Sequence, residues 1–228
     1  MENTEKIVVL ACEMLSQEIR AAMAEAGLDC ETIWVERALH DYPDRLRAEL
    51  QSRIGLIQAD TILMAFAQCG NAPVGLEARG AQLVLPRFAD CIHLFRSFQP
   101  GDPGQVDPRT LYASPGFLEE RGGLLRDYDR CLARYGEKKA LRMCRALVRN
   151  YRYITYLDTG TADPAAFEPL VRQRAEILDL EPTACEGTTR VLRKLFSGPW
   201  DDEFVIVPPG GRLDMSVFLS APPAVQPF

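Results

Sequence analysis

Long apolar runs are missing from this chain. Charged residues interrupt every hydrophobic segment well before the roughly 18 residues that a membrane-spanning helix needs, so no membrane partner is expected. The opening Met-Glu-Asn-Thr-Glu-Lys lacks the basic region, apolar stretch and small-residue cleavage site of a secretory signal, which sets the expectation of a cytoplasmic protein. Histidine is scarce, with only His40 and His93, and no His-Glu-x-x-His helix motif is present. Also absent are the Gly-x-Gly-x-x-Gly fingerprint, a serine-nucleophile elbow, and the lysine–serine pair that would make Val207-Pro208-Pro209-Gly210-Gly211 a phosphate loop. These absences remove the zincin, dinucleotide, serine-hydrolase and P-loop classes. Basic residues are scattered, apart from the stretch between Arg130 and Arg152, which reads as the solvated face of helices. No nucleic-acid partner is expected.

What the chain does have is cysteine. Seven, an odd number, stand in 228 residues with no export signal, which argues against a disulfide framework and for reduced thiols in packing, metal binding or catalysis. Cys131 and Cys144 fall among apolar residues of helical segments and read as core, Cys30 opens a strand, and Cys185 falls in a loop-like stretch without a role.

The fold class follows from the order of the apolar runs. Lys6–Cys12 is the continuous run of a strand covered on both faces, and Met14–Ala26 has helical spacing that stops at Gly27. Cys30–Glu36 alternates as a strand. Pro43 suits the first position of a helix carrying Leu46, Leu50 and Ile54, and Thr61–Ala67 and Ala81–Pro86 are two further strands. This alternation predicts an α/β fold: an open, mainly parallel, Rossmann-like sheet with helices on both faces. A loop is expected over Phe95–Gln105. Helices over Phe117–Tyr135, Glu137–Asn150, Pro164–Leu178 and Thr188–Phe196, with strands at Tyr151–Leu157 and Phe204–Val207, make the C-terminal half the more helical one. The proline-rich tail reads as extended. The chain is taken as one α/β domain over residues 1–228, with an internal boundary at 96–108.

Ligands of open parallel sheets bind beyond the carboxyl ends of the strands. Three cysteines fall there: Cys12 ends the first strand, Cys69 follows the third, and Cys91 follows the fourth. Three thiolates with an open fourth position suit catalytic zinc or an iron–sulfur cluster with one open iron. Each cysteine is equally readable as a small buried apolar residue. Around them, Gly70 and Asn71 form a turn that can bring backbone and an amide to a ligand, so both are assigned to cofactor binding. Arg87 and Asp90 flank Cys91, either to lower its pKa and clamp an anion or as a structural ion pair. His40 is a candidate fourth ligand or general base, His93 reads as a core histidine, and Glu18 reads as part of a solvated helix face.

The blocks Cys69-Gly70-Asn71 with Gly75-Leu76, Leu85-Pro86-Arg87 with Asp90-Cys91-Ile92, Leu111-Tyr112 with Pro115-Gly116, and Trp200-Asp201-Asp202 with Phe204 and Pro209-Gly210 resemble the uncharacterised domain-of-unknown-function family 1638. The chain departs from that pattern at Arg96, where a glycine is expected, and at Phe117, where a tryptophan is. The resemblance implies a companion of corrinoid-dependent methyltransferase systems. The expected function is therefore a zinc- or iron–sulfur-dependent enzyme or accessory protein in one-carbon methyl transfer, built on Cys12, Cys69 and Cys91, with a thiol or other small molecule as ligand and a corrinoid protein or methyltransferase as partner. Two alternatives stand beside it: a metal-free nucleophile or redox thiol at Cys91 activated by Arg87 and His40, and a non-catalytic protein that docks on a corrinoid methyltransferase. The Asp-x-His-x-x-Gly pattern of a corrinoid carrier is absent.

Overall fold

The computed structural model describes residues 5–119 and 123–219. The chain divides into two compact units, one made of the residues up to Gln105 together with those from Thr188 onward, the other of Val106–Gly187.

The first unit is built on a five-stranded sheet of order β2-β1-β3-β4-β8, comprising β1 (Ile7–Cys12), β2 (Glu31–Val35), β3 (Thr61–Ala65), β4 (Gln82–Pro86) and β8 (Phe204–Val207). The first four are parallel and β8 runs antiparallel to β4, with Pro86 opposite Phe204. Apart from Thr61 and Gln82 at their starts, β1, β3 and β4 are runs of apolar residues and cysteine, because neither face meets water. On one face Leu10, Ile62, Met64, Leu83 and Leu85 pack under α2 (Pro43–Leu56), whose Leu46, Leu50 and Ile54 recur every four residues. On the other, Val9, Ala11, Leu63 and Val84 are covered by α1 (Ser16–Ala26) and α8 (Arg190–Ser197), which pack on each other. α2 opens on Pro43 at N1 and α1 closes on Gly27 in the left-handed region at φ 67°, both as the spacing predicts. Helices on both faces of an open, mainly parallel sheet confirm the expected fold class.

The second unit holds three parallel strands in the order β5 (Thr110–Ala113), β6 (Tyr153–Asp158), β7 (Glu181–Glu186). Helices α4 (Pro115–Glu119), α5 (Gly123–Tyr135), α6 (Glu137–Leu147) and α7 (Pro164–Leu178) accompany it. Ile154 and Tyr156 face Phe167, Val171 and Ala175 of α7, with the Tyr156 and Phe167 rings stacked. Arg174 of α7 donates to the carbonyls of Phe117 and Leu118 in the last turn of α4.

β5 and β7 escape the apolar pattern. β7 reads Glu-Pro-Thr-Ala-Cys-Glu and is almost wholly exposed; its strand character comes from the hydrogen-bond ladder to β6, and this is where Cys185 lies. β6 accordingly centres a second sheet. The helix expected over Phe117–Tyr135 crosses residues 120–122, outside the described residues, as does the tail beyond Leu219. Leu50 is fully buried whereas Leu56, on the same helix, is 74% exposed. Leu50→Ala should lower unfolding free energy by about 2–5 kcal/mol, and Leu56→Ala by less than about 0.5 kcal/mol, as read by chemical denaturation.

Candidate functional site

The three cysteines emerge where the backbone leaves the sheet. Cys12 is the last residue of β1 and directly precedes a 3-10 turn, Glu13–Leu15, whose Met14 and Leu15 amides point at its sulfur. Beyond β3 the chain keeps pairing: Gln68 N–H donates to the Phe88 carbonyl at 2.9 Å and Cys69 N–H to the Ala89 carbonyl at 3.1 Å. These bonds zip the Cys69-Gly70-Asn71 block onto the Pro86-Arg87-Phe88-Ala89-Asp90-Cys91 block. Cys69, Gly70 and Asn71 then take three successive left-handed φ values, 40°, 66° and 67°. Glycine adopts that region freely, asparagine tolerates it, and cysteine does so only under strain that the surrounding contacts hold in place. The Cys91 amide is directed at the Cys69 sulfur, so two of the candidate ligands are direct neighbours.

Electrostatics ties in the third. Burial pushes the Cys12 thiol up to about 11. Burial, followed by the charge of Cys12, pushes Cys69 up to about 12. Cys91 is raised well above its ordinary value by burial and then by Cys69, Asp90, Cys12 and Glu18. Each thiol keeps part of its surface exposed, yet its ionisation is opposed by burial, and at Cys69 and Cys91 also by neighbouring thiols and by Asp90, so all three stay protonated at neutral pH. Arg37 is the cation acting on Cys12, and it also approaches Glu13 at 3.6 Å.

The remaining candidates are placed as follows. Asp90 is the N-cap of α3 (Cys91–Phe95), accepting from the His93 N–H at 2.9 Å and lying 2.8 Å from His93 Nδ1, so its partner is His93. The Arg87 guanidinium reaches toward the Phe204 carbonyl at 3.5 Å, its backbone N–H donates to the Glu203 carbonyl, and its Nε is buried without a hydrogen-bond partner. The ion pair of Arg87 with Asp90 that the sequence allowed is thus replaced by an Asp90–His93 pair. The principal influences on the Cys91 thiol are burial, Cys69, Asp90, Cys12 and Glu18. Asn71 Oδ1 accepts from Gln68 Nε2 at 2.6 Å, and its carbonyl accepts from Arg47 at 2.9 Å. Gly70 packs against Pro43, where a Cβ would sit 3.1 Å from the proline ring. His40 stands exposed in the turn Arg37–Asp41 that follows β2, at the same edge of the sheet.

Two features escaped the sequence reading. Glu18 is fully buried, not solvated. Leu15, Glu18, Ile19 and Ala22 form one buried face of the first helical turns, and an acid inside that stripe was the available signal. The Pro208–Gly211 turn leaves at the opposite edge, because β8 is antiparallel. The segment after it returns along residues 75–78, where Gly75 and Leu213 exchange backbone bonds with Leu213 and Leu76, and brings Met215 Sδ to 3.4 Å from Gln68 Nε2.

As the side chains stand, among the described residues no three His, Cys, Asp or Glu side chains are grouped so that they could hold a metal ion. No helix among those residues is long and apolar enough to cross a membrane.

Fold and site together define a doubly covered α/β sheet with a thiol-lined C-terminal edge. Residues 34–196 match the family described as Protein of unknown function (DUF1638), and the chain belongs to that family. The matched segment contains Cys69 and Cys91, whereas Cys12, Glu18 and the Trp200–Gly210 block lie outside it. No curated protein and no solved structure matches the chain.

The raised thiols have a stability consequence. From the ordinary value of 9.0, Cys12 rises to about 11 and Cys69 to about 12, so between these limits the unfolded chain sheds protons that the fold still holds. The contribution of these groups is intact below pH 9 and is lost as pH rises toward 12. Reduced, chelator-treated protein should show a urea midpoint that falls across this window. The fall should be shallower in a Cys12→Ala/Cys69→Ala variant; equal slopes would reject the buried-thiol account.

Proposed function

We propose that the thiol edge of the first unit is a metal-dependent site, in which Cys12, Cys69 and Cys91 hold zinc or an iron–sulfur cluster and the remaining position takes a thiol or another small ligand. The observation that carries this reading is the gathering of three sulfurs at one sheet edge: the Cys91 amide is directed at the Cys69 sulfur, and Cys12 acts on both, with Asp90 and Glu18 beside Cys91. A bound cation would deprotonate its thiol ligands outright and hold the thiolates together. Glu18 is a fully buried carboxylate that acts on the Cys91 thiol, and the Asp90–His93 pair is a hydrogen-bonded support of the kind that orients groups around metal sites. In the present rotamers the sulfurs do not form a coordination shell, so loading requires side-chain rotation.

Metal-bound thiolate remains nucleophilic at neutral pH, and that is the demand of methyl transfer to or from sulfur. The role that fits is an enzyme or accessory protein of one-carbon metabolism, linked to corrinoid-dependent methyl transfer. The metal-free alternative at Cys91 has less support. Its thiol is raised rather than lowered, because burial and then its thiol and carboxylate neighbours dominate its surroundings.

Protein purified without oxygen should contain about one equivalent of zinc or of one cluster per chain. Cys12→Ser, Cys69→Ser and Cys91→Ser should each reduce the bound metal severalfold. Zinc added to the metal-free protein at neutral pH should release protons, because each ligand begins as a thiol. Less than about half an equivalent of any transition metal in the parent protein would overturn the proposal.

A further inference from the structure

The chain carries a net charge of −6, yet the residues from Tyr128 to Arg152 hold eight basic side chains against two acidic ones, Asp129 and Glu137. This is a local charge of +6, which leaves −12 on the remainder. The stretch is the C-terminal part of α5, the turn at Gly136, and α6 with the residues just after it. All eight basic residues are exposed.

Little of that charge is answered locally. Arg145 donates to the Ile177 and Glu176 carbonyls at the end of α7, and Arg152 lies 3.9 Å from Glu181. Arg134 and Lys139 lie over the Tyr135 ring. Among the described residues Lys138, Arg142 and Arg149 have no acidic partner. Lys138 and Arg142 of α6 stand four residues apart, the spacing at which like charges on a helix destabilise it. Apolar groups are exposed beside them: of nine large hydrophobic side chains exposed among the described residues, five are here, namely Leu132, Tyr135, Met143, Leu147 and Tyr151, with Leu147 at 64%. α6 buries Ala140 and Cys144, followed by Val148, and presents Lys139, Arg142, Met143 and Leu147 outward.

We infer that the exposed face of α5 and α6 docks an acidic protein surface that carries apolar side chains of its own. Charge complementarity names the partner: +6 concentrated on the α5–α6 hairpin and the five residues that follow it, in an otherwise acidic chain, attracts an anionic surface at that face. Arginine, tyrosine and methionine are the residues enriched in protein interfaces, and Met143 and Leu147 supply the apolar anchors. A nucleic acid would use the cations, but it leaves those anchors idle and extends its charge toward the acidic remainder. A membrane surface would need a broader apolar face than Met143 and Leu147 provide. The inference does not depend on the metal site, since it concerns other residues.

The test uses the full chain and a defined probe, a helical peptide with leucines at i and i+4 flanked by glutamates, beside a sequence-scrambled peptide, a duplex oligonucleotide, and vesicles containing phosphatidylglycerol. The patterned peptide should bind in low salt and weaken as salt rises. Lys138→Glu/Arg142→Glu/Arg149→Glu should weaken it about tenfold or more, with Arg142→Glu alone as the milder variant should the triple one fail to fold. Met143→Ser/Leu147→Ser should weaken it severalfold while thermal unfolding stays unchanged. No binding of the patterned peptide, equal binding of the scrambled one, indifference to charge reversal, or tighter binding of the oligonucleotide or vesicles would each overturn the inference.

Discussion

Strands β1, β3 and β4 have no face open to water, and most of what is distinctive in the first unit follows from that constraint. A strand covered on both sides has no room for a polar side chain along its length, so any chemistry must sit where the backbone leaves the ladder. In the order β2-β1-β3-β4 that place lies beyond Cys12 and Ala65, where the crossovers from β1 diverge to opposite sides. The extra bonds from Gln68 and Cys69 to Phe88 and Ala89 carry the pairing two residues past the strands. They fix Cys69 against the start of α3 and so against Cys91. Sheet geometry, not local sequence, is what gathers sulfurs from positions 12, 69 and 91.

The parts of this arrangement legible in the sequence are those in which local chemistry and tertiary environment agree. β-Branched and apolar runs gave away the buried strands, Pro43 and Gly27 marked helix ends, and the three cysteines stood at strand termini because the termini themselves were legible. Where environment overrides local preference, the signal fails. β7 is a strand only because β6 pairs with it, and its exposed Glu-Pro-Thr-Ala-Cys-Glu sequence has no face to alternate. Glu18 is an acid whose position in the stripe with Leu15, Ile19 and Ala22 matters more than its residue type. Asp90 was flagged, but its partner depended on side-chain geometry: as the N-cap of α3 it pairs with His93.

A cluster of desolvated thiols has two stable outcomes. Kept protonated, each sulfur is a small apolar group, and the raised values of Cys12, Cys69 and Cys91 describe that state. Given a cation, the same crowding becomes an advantage, since the positive charge is stabilised by every thiolate and carboxylate that previously repelled its neighbours. The proposed second outcome would give a role to the strained backbone at Cys69, a cysteine held at φ 40° where glycine would be unstrained.

The second unit shows the opposite treatment of charge. Around the thiols, negative groups converge in a desolvated setting; on α5 and α6, positive groups are spread over a solvated surface where screening keeps their repulsion small. Under the two proposals, each would be answered by something of opposite sign. At the sheet edge, where the three cysteines keep only part of their surface exposed, soft sulfur donors suit a small cation. An exposed helical face of arginine, lysine, methionine and leucine offers no enclosure for an ion, and its charges are too widely spaced to converge on one. Only a surface of comparable extent can answer them all, and the apolar side chains between them favour a surface that is itself protein.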